Sequence, residues 1–255
     1  MFNMRIGSRI IRLDKIDSTN SYLKRFASQL HTGTVVVATE QTHGRGRGQK
    51  QWFSCRQKSL TFSVILSQKS DAHIFTFMHL FPAVAVVKAL RSLGIRAFIK
   101  WPNDIILAGK KIGGILVDAV TRSGKIDFII GVGLNVNEER ADFPEEVRET
   151  AGSILTTTEK AYDINTLLNA VLRMMNIVYP LIQHSESRAT VRALWCDYCG
   201  SLNGIVAIRQ NNANIYGKFV GLDENGFAVI KSDEQELIIR DYVHVSLREL
   251  YDTCN

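Results

Sequence analysis

Apolar residues recur at helical spacing from Tyr22 onward (Leu23, Phe26, Ala27, Leu30), behind the capping side chains of Asp17, Ser18, Thr19 and Asn20, and this predicts one amphipathic helix. Ahead of it, Arg9 to Leu13 reads as a short strand. "GTVVVATEQ" (Gly33 to Gln41) is a β-branched run and "LTFSVIL" (Leu60 to Leu66) alternates, so two strands bracket the glycine-rich stretch between them. Ile74 to Leu93 is almost wholly apolar and stops at Gly94, as a buried helix with a glycine cap would. Four β-type segments follow in "RAFIKW", "DIILAGKKIGGILVDAV" with its turn at Gly109, and "KIDFIIGVGLNV". Their short connections favour antiparallel or mixed pairing, because a parallel crossover needs a longer link. Asp163 opens a helix with one apolar face (Ile164, Leu167, Leu168, Val171, Leu172, Met175), and another helix runs to about Tyr198. From Gly204 short strands alternate with turns at Asn211-Asn212 and Glu224-Asn225-Gly226, the pattern of a small β barrel or sandwich. The expected fold is α+β: a larger unit over residues 1–200 with a mixed or antiparallel sheet and packed helices, then a small barrel over 201–255.

Composition narrows this only a little. At 255 residues and 45% hydrophobic content the chain can bury a substantial core, and it shows no low-complexity tract or internal repeat. The net charge of +6 favours an anionic ligand. Five basic against eight acidic side chains beyond Gly204 leave that end acidic, so the basic surplus belongs to the larger unit. The amino terminus lacks a signal-peptide core, and the Ile74–Leu90 stretch is interrupted by Thr76, His79, Pro82 and Lys88, so neither export nor a membrane span is expected and a cytoplasmic protein is. Cys196 and Cys199 form one C-x-x-C, but a zinc ribbon needs a second pair, so these read as structural thiols.

Four clusters carry candidate chemistry. "HGRGRGQKQWFS" (His43 to Ser54) places two arginines and a lysine on a backbone free to turn its N–H groups toward an anion. Taken alone, it fits a solvated hairpin tip or an RNA-binding arginine–glycine tract equally well. "KWPND" (Lys100 to Asp104) gathers a cation, a ring, an amide and a carboxylate around a proline. "KKIGGILVD" (Lys110 to Asp118) sets Lys111 just before paired glycines, and "GVGLNVN" (Gly131 to Asn137) repeats glycine within a strand, where it often marks a close approach. Trp101 as core filler, Lys111 as an edge charge and Gly131 with Gly133 as a bulge explain each cluster singly; together the four point to one site.

With "STN" at Ser18 to Asn20, these clusters occur in the order and spacing of the bacterial biotin protein ligases, also called biotin–acetyl-CoA-carboxylase ligases, which the chain resembles over essentially its whole length. The resemblance implies an enzyme that joins biotin to ATP as biotinyl-5′-AMP, with Mg²⁺, and then transfers biotin to a lysine of a biotin carboxyl carrier protein, working as a monomer or homodimer with a carboxy-terminal SH3-like barrel. It implies Lys111, Arg45 and Arg47 as the catalytic cations. For biotin it implies Ser18, Thr19, Asn20, Gln41, Gly44, Arg45, Gly46, Arg47, Lys111, Gly114 and Gly133, the last two leaving room for the rings. For the nucleotide it implies Arg47, Lys50, Trp52 beside the adenine, Asn103, Lys111 and Asn135, and for Mg²⁺ the carboxylate of Asp104. In one departure, Gly48 comes a position early and Lys50 stands where arginine is usual; a point charge cannot reproduce a guanidinium fork. In another, the first strand starts almost at once, so no amino-terminal DNA-binding helix-turn-helix is expected. A lipoate protein ligase would keep the reaction type and change the substrate, and an RNA-binding protein would use the arginine–glycine loop alone; such tracts come in repeats, and this one occurs once.

Overall fold

The computed structural model describes residues 4–69, 72–122, 124–210, 213–232, 235–240 and 246–249. Strand β1 (Arg9–Ile16) runs parallel to β2 (Thr34–Gln41), the two joined by helix α1 (Thr19–Phe26), whose first turn is capped by the Ser18 hydroxyl accepting from the Ser21 N–H at 3.4 Å. Strand β1 extends beyond the expected Leu13 because its pairing with β2 continues through Lys15 opposite Glu40, an ion pair at 2.7 Å. The helix ends earlier than expected, at Phe26, and a 3₁₀ turn over Ala27–Gln29 takes its place.

Five further strands complete the sheet: β3 (Ser59–Lys69), β4 (Phe98–Lys100), β5 (Asp104–Leu107), β6 (Lys110–Arg122) and β7 (Lys125–Asn135), in the order β1-β2-β3-β7-β6-β5-β4. All pairs beyond β1 and β2 are antiparallel, and for β4 to β7 the short connections favour this. Helix α2 (Ala72–Ser92) is apolar on every side, and Val84, Ala85, Val86 and Val87 are all fully buried. It is long and apolar enough to cross a membrane, but 78% of its apolar window is buried here, between the sheet and helices α4 (Ile164–Gln183) and α5 (Ser185–Tyr198). A short helix α3 (Ile154–Thr158), absent from the sequence expectation, is nucleated by a reciprocal Ser153–Thr156 capping box.

The remaining strands, β8 (Ile205–Gln210), β9 (Ala213–Leu222), β10 (Ala228–Lys231), β11 (Glu236–Ile239) and β12 (Ser246–Glu249), form the small antiparallel sheet in the order β11-β10-β9-β8-β12. The Asp223 carboxylate accepts from the N–H groups of Asn225 and Phe227, and Gly226 takes φ +87°, which makes the expected turn; the Asn211-Asn212 turn lies outside the described residues. Trp195 meets Phe219 edge-on at 6.3 Å and the Gly200 N–H donates to the Ile99 carbonyl, so the end of α5 fastens the two sheets together. Cys196 and Cys199 sit at this junction, Cys199 buried and Cys196 partly so; Cys254 lies outside the described residues.

Beyond the end of β7, Glu138 is fully buried, accepting a hydrogen bond from the Ser59 hydroxyl on one oxygen while the other has no partner among the described residues. Burial pushes its carboxyl pKa up, more strongly than the Ser59 bond lowers it. A carboxyl with a higher pKa folded than unfolded favours the fold below the ordinary carboxylate range and costs stability as pH rises through the folded value. Glu138→Gln, which is neutral throughout, is therefore expected to raise Tm at pH 7 to 8 and to lose that advantage near pH 4. Thermal scans at both ends test this, and an equal or lower Tm for the variant at pH 8 would refute it.

Candidate active site

Two inner strands build the floor of the site, and glycine is what lets other groups lie on them. A Cβ on Gly131 would meet the Asn20 Oδ1 at 2.2 Å, and one on Gly133 would meet the Trp52 ring at 2.5 Å. The room beside Gly133 is thus taken by the protein's own indole, and both line the same cavity. Gly114, on the next strand, faces the same ring at 3.5 Å. Over this floor lies a cavity of about 390 Å³.

One end of the cavity is polar. The Thr19 N–H donates to Gln41 Oε1 at 2.9 Å, with the Thr19 hydroxyl 3.1 Å from the same oxygen, and the Ser63 hydroxyl lies 2.6 Å from Thr19 Oγ1 and 2.5 Å from Asn20 Oδ1. Ser18, Thr19 and Asn20 are all buried, held at the start of α1 by its capping geometry. Phe62 and Val132 supply apolar wall, and residues 143–151 (Phe143, Val147, Thr150, Ala151) close another side. This last segment carries no motif, so it could not be read from sequence.

The other end is cationic. Lys111 pairs with Asp104 at 2.5 Å, both partly exposed, and a bulge between Ile105 and Ile106 sets the register that brings them together. The Lys111 backbone is clamped on both sides, its N–H donating to the Thr150 carbonyl and its carbonyl accepting from Gly152. Asn103 and Asn135 line the cavity but each donates a side-chain N–H to backbone, at 2.6 Å to Ile115 and 2.9 Å to Gly152, so positioning is the work the structure gives them. Trp101 is the buried core filler of "KWPND".

Across the mouth runs the arginine–glycine loop, a narrow hairpin closed by the Arg45–Gln51 bridge, with the Trp52 N–H donating to Gly44 and the Gly46 N–H to Lys50. Gly48 stands at its tip with φ +61°, the left-handed conformation that reverses the chain; this is the physical reason for glycine at that position. Arg45, Gly46, Arg47 and Lys50 face both the inner cavity and an outer chamber of about 790 Å³. Gly44 lines the outer chamber, and a Cβ there would lie 2.3 Å from the Trp52 carbonyl, so the hairpin itself requires glycine at this position. Arg45 donates to Asp118 at 2.9 Å. That carboxylate, the final letter of "KKIGGILVD", escaped the sequence reading as a site residue.

A polar-ended cavity whose opposite end and lid hold cations, on an α+β frame, defines an enzyme built to bring anionic groups together. The Biotin/lipoate A/B protein ligase family matches residues 13–135, and the biotin protein ligase C-terminal domain matches 201–247. The chain is 31% identical over 233 residues to the bifunctional ligase/repressor BirA of Bacillus spizizenii, covering 90% of this chain and 71% of that protein. It is 28% identical to BirA of Escherichia coli, over 95% of this chain and 75% of that one. The biotin protein ligase of Aquifex aeolicus in complex with biotin and ATP superposes with a TM-score of 0.81 at 30% identity, covering 95% of this chain and all of the other. This chain belongs to the biotin protein ligase family.

Proposed function

We propose that the protein activates biotin with ATP, forming biotinyl-5′-AMP and pyrophosphate, and then transfers biotin to a specific lysine of a biotin carboxyl carrier protein. The observation that carries this is one cavity lined by Lys111, Arg45 and Arg47 together with the polar side chains of Thr19, Asn20 and Gln41, which Ser63 links from behind. In this reading the polar set holds the biotin head, with Ser18 fixing the start of α1. The biotin carboxylate then points toward the cations.

A carboxylate oxygen must approach the α-phosphorus of ATP, and the two anions repel. Lys111, Arg45 and Arg47 offset that repulsion and stabilise the charge that grows as the phosphorus–oxygen bond to pyrophosphate breaks. Trp52 offers a ring face for the adenine, with Lys50, Asn103 and Asn135 nearby. In the second step the carrier's lysine amine attacks the acyl carbon and AMP leaves, so no covalent protein nucleophile is needed. We assign the outer chamber as the side from which that lysine arrives, because it adjoins the cavity across the loop and shares Arg45, Arg47 and Lys50 with it.

Asp104 is the one carboxylate lining the inner cavity among the described residues, which suits Mg²⁺, an ion held by one or two carboxylates together with substrate phosphates. Bound there, Mg²⁺ would neutralise phosphate charge. Arrival of the nucleotide and metal would draw Asp104 away from Lys111 and leave the ammonium to the reacting anions. The division into a catalytic unit over 1–200 and a barrel over 201–255, and a cytosolic setting that keeps the thiols reduced, belong to the same reading.

The test is biotin-dependent release of pyrophosphate from ATP and Mg²⁺, followed by mass measurement of a carrier domain. Release supported by lipoate and not by biotin would overturn the substrate. For the loop, biotin plus ATP should slow trypsin cleavage after Arg45, Arg47 and Lys50 severalfold, since the adenylate brings further anionic groups to these cations and closes the hairpin over an anhydride that water would hydrolyse. Equal cleavage with and without ligands would mean that the loop is no ligand-closed lid.

A further inference from the structure

Asp118 lies midway along β6, opposite Ile129 of β7, with its side chain only 16% exposed. Three groups from two separate segments converge on it. Lys24 of α1 reaches Oδ1 at 2.8 Å, whereas Asn20 of α1 and Arg45 of the loop both donate to Oδ2, at 3.0 and 2.9 Å. Burial alone would raise the Asp118 pKa, but the bonds from Lys24 and Asn20 and the nearby Arg45 outweigh it and hold the carboxyl below its usual range.

Asn20 has no freedom to compensate. Its Oδ1 contacts Ser63 and sits where a Cβ of Gly131 would be, and its residue is buried. With the Thr19 N–H donating to Gln41, the Thr19 hydroxyl to Ser63 and the one Ser63 proton to Asn20, a continuous line of hydrogen bonds runs Gln41–Thr19–Ser63–Asn20–Asp118–Arg45, from the polar end of the cavity to the first arginine of the loop. Because Asn20 and Arg45 share one oxygen, displacing either disturbs the geometry of the other.

We propose that Asp118 is a positioning residue that ties Arg45 to the biotin-holding end of the site and so sets the affinity for biotin rather than for ATP. This rests on the function given above. A plainer role, a counter-ion that docks α1 through Lys24, uses the other carboxylate oxygen and can be separated from it.

Titration calorimetry with biotin alone, without ATP, reads the effect directly. Asp118→Ala is expected to weaken biotin binding by about tenfold or more while ATP binding stays within about twofold. Asp118→Asn keeps an acceptor for Asn20 and loses the charge for Arg45, so it should fall between wild type and alanine; Asp118→Glu should recover part of the loss. In an Arg45→Ala background Asp118→Ala should add less than about a further twofold, the mark of two residues acting through one contact. Lys24→Ala should leave biotin affinity within about twofold, as the docking role would not. If Asp118→Ala does not fold, Asp118→Asn with its charge loss alone decides. Wild type that fails to bind biotin would bring down the function and this role together. Wild type that binds while the Asp118 variants bind equally well, or lose ATP as much as biotin, would overturn this role alone.

Discussion

Lys111→Ala is expected to lower biotin-dependent adenylation by about a hundredfold or more, the scale on which loss of one preorganised charge donor acts. Two features of the site argue for so large an effect. The residue's N–H and carbonyl are both engaged by the 150–152 segment, so the ammonium is aimed by a fixed backbone rather than by a free chain. Its partner Asp104 lies in the same cavity, so removing the lysine also frees the carboxylate proposed for Mg²⁺ from the ion pair that orients it. Both changes raise the barrier in the same direction. Pyrophosphate release at saturating biotin and ATP measures it, with circular dichroism checking that the fold is retained. A rate within threefold of wild type would return Lys111 to the rank of an edge charge.

Gly133→Ala is the second expected large loss, and it works by shape. A methyl group there falls within 2.8 Å of three atoms of the Trp52 ring, and because Gly44 holds the Trp52 backbone on both its N–H and carbonyl, the ring must turn out of its place to clear it. Overpacking of this kind costs about 1 to 3 kcal/mol, and here it falls on the ring assigned to the adenine. The variant is expected to need a roughly tenfold to hundredfold higher ATP concentration for half-maximal pyrophosphate release, with a smaller change for biotin. Gly114→Ala is the control: its Cβ would lie 3.5 Å from the same ring, an ordinary contact, and ATP dependence should barely move. Equal effects of the two substitutions would show that Trp52 is not the group displaced.

Much of the site could be read in the chain because its parts are short and local. The Ser18 cap, the lone arginine–glycine loop and Lys111 before paired glycines each need only a few neighbouring residues to be recognised. The glycines were recognised as close approaches, but what approaches them was not. Gly131 is filled by Asn20 and Gly133 by Trp52, residues about a hundred and about eighty positions away, and no local pattern announces such contacts. Asp118 escaped for a related reason: within β6 it looks like any surface carboxylate until Asn20, Lys24 and Arg45 are folded against it.

By itself the sequence determined the order of the longer helices and the strands (though not the short helix α3), the α+β class and the segments that carry charge and glycine, because periodicity, capping and backbone freedom act over a few residues. Only the tertiary structure decided which cation faces which carboxylate. Lys111 meets Asp104 through a bulge in the β5–β6 register, and Arg45 meets Asp118 because the loop after β2 folds back across β6. Those pairings depend on strand order and register, and they are settled by burying α2 and the inner sheet faces, a property of the whole chain.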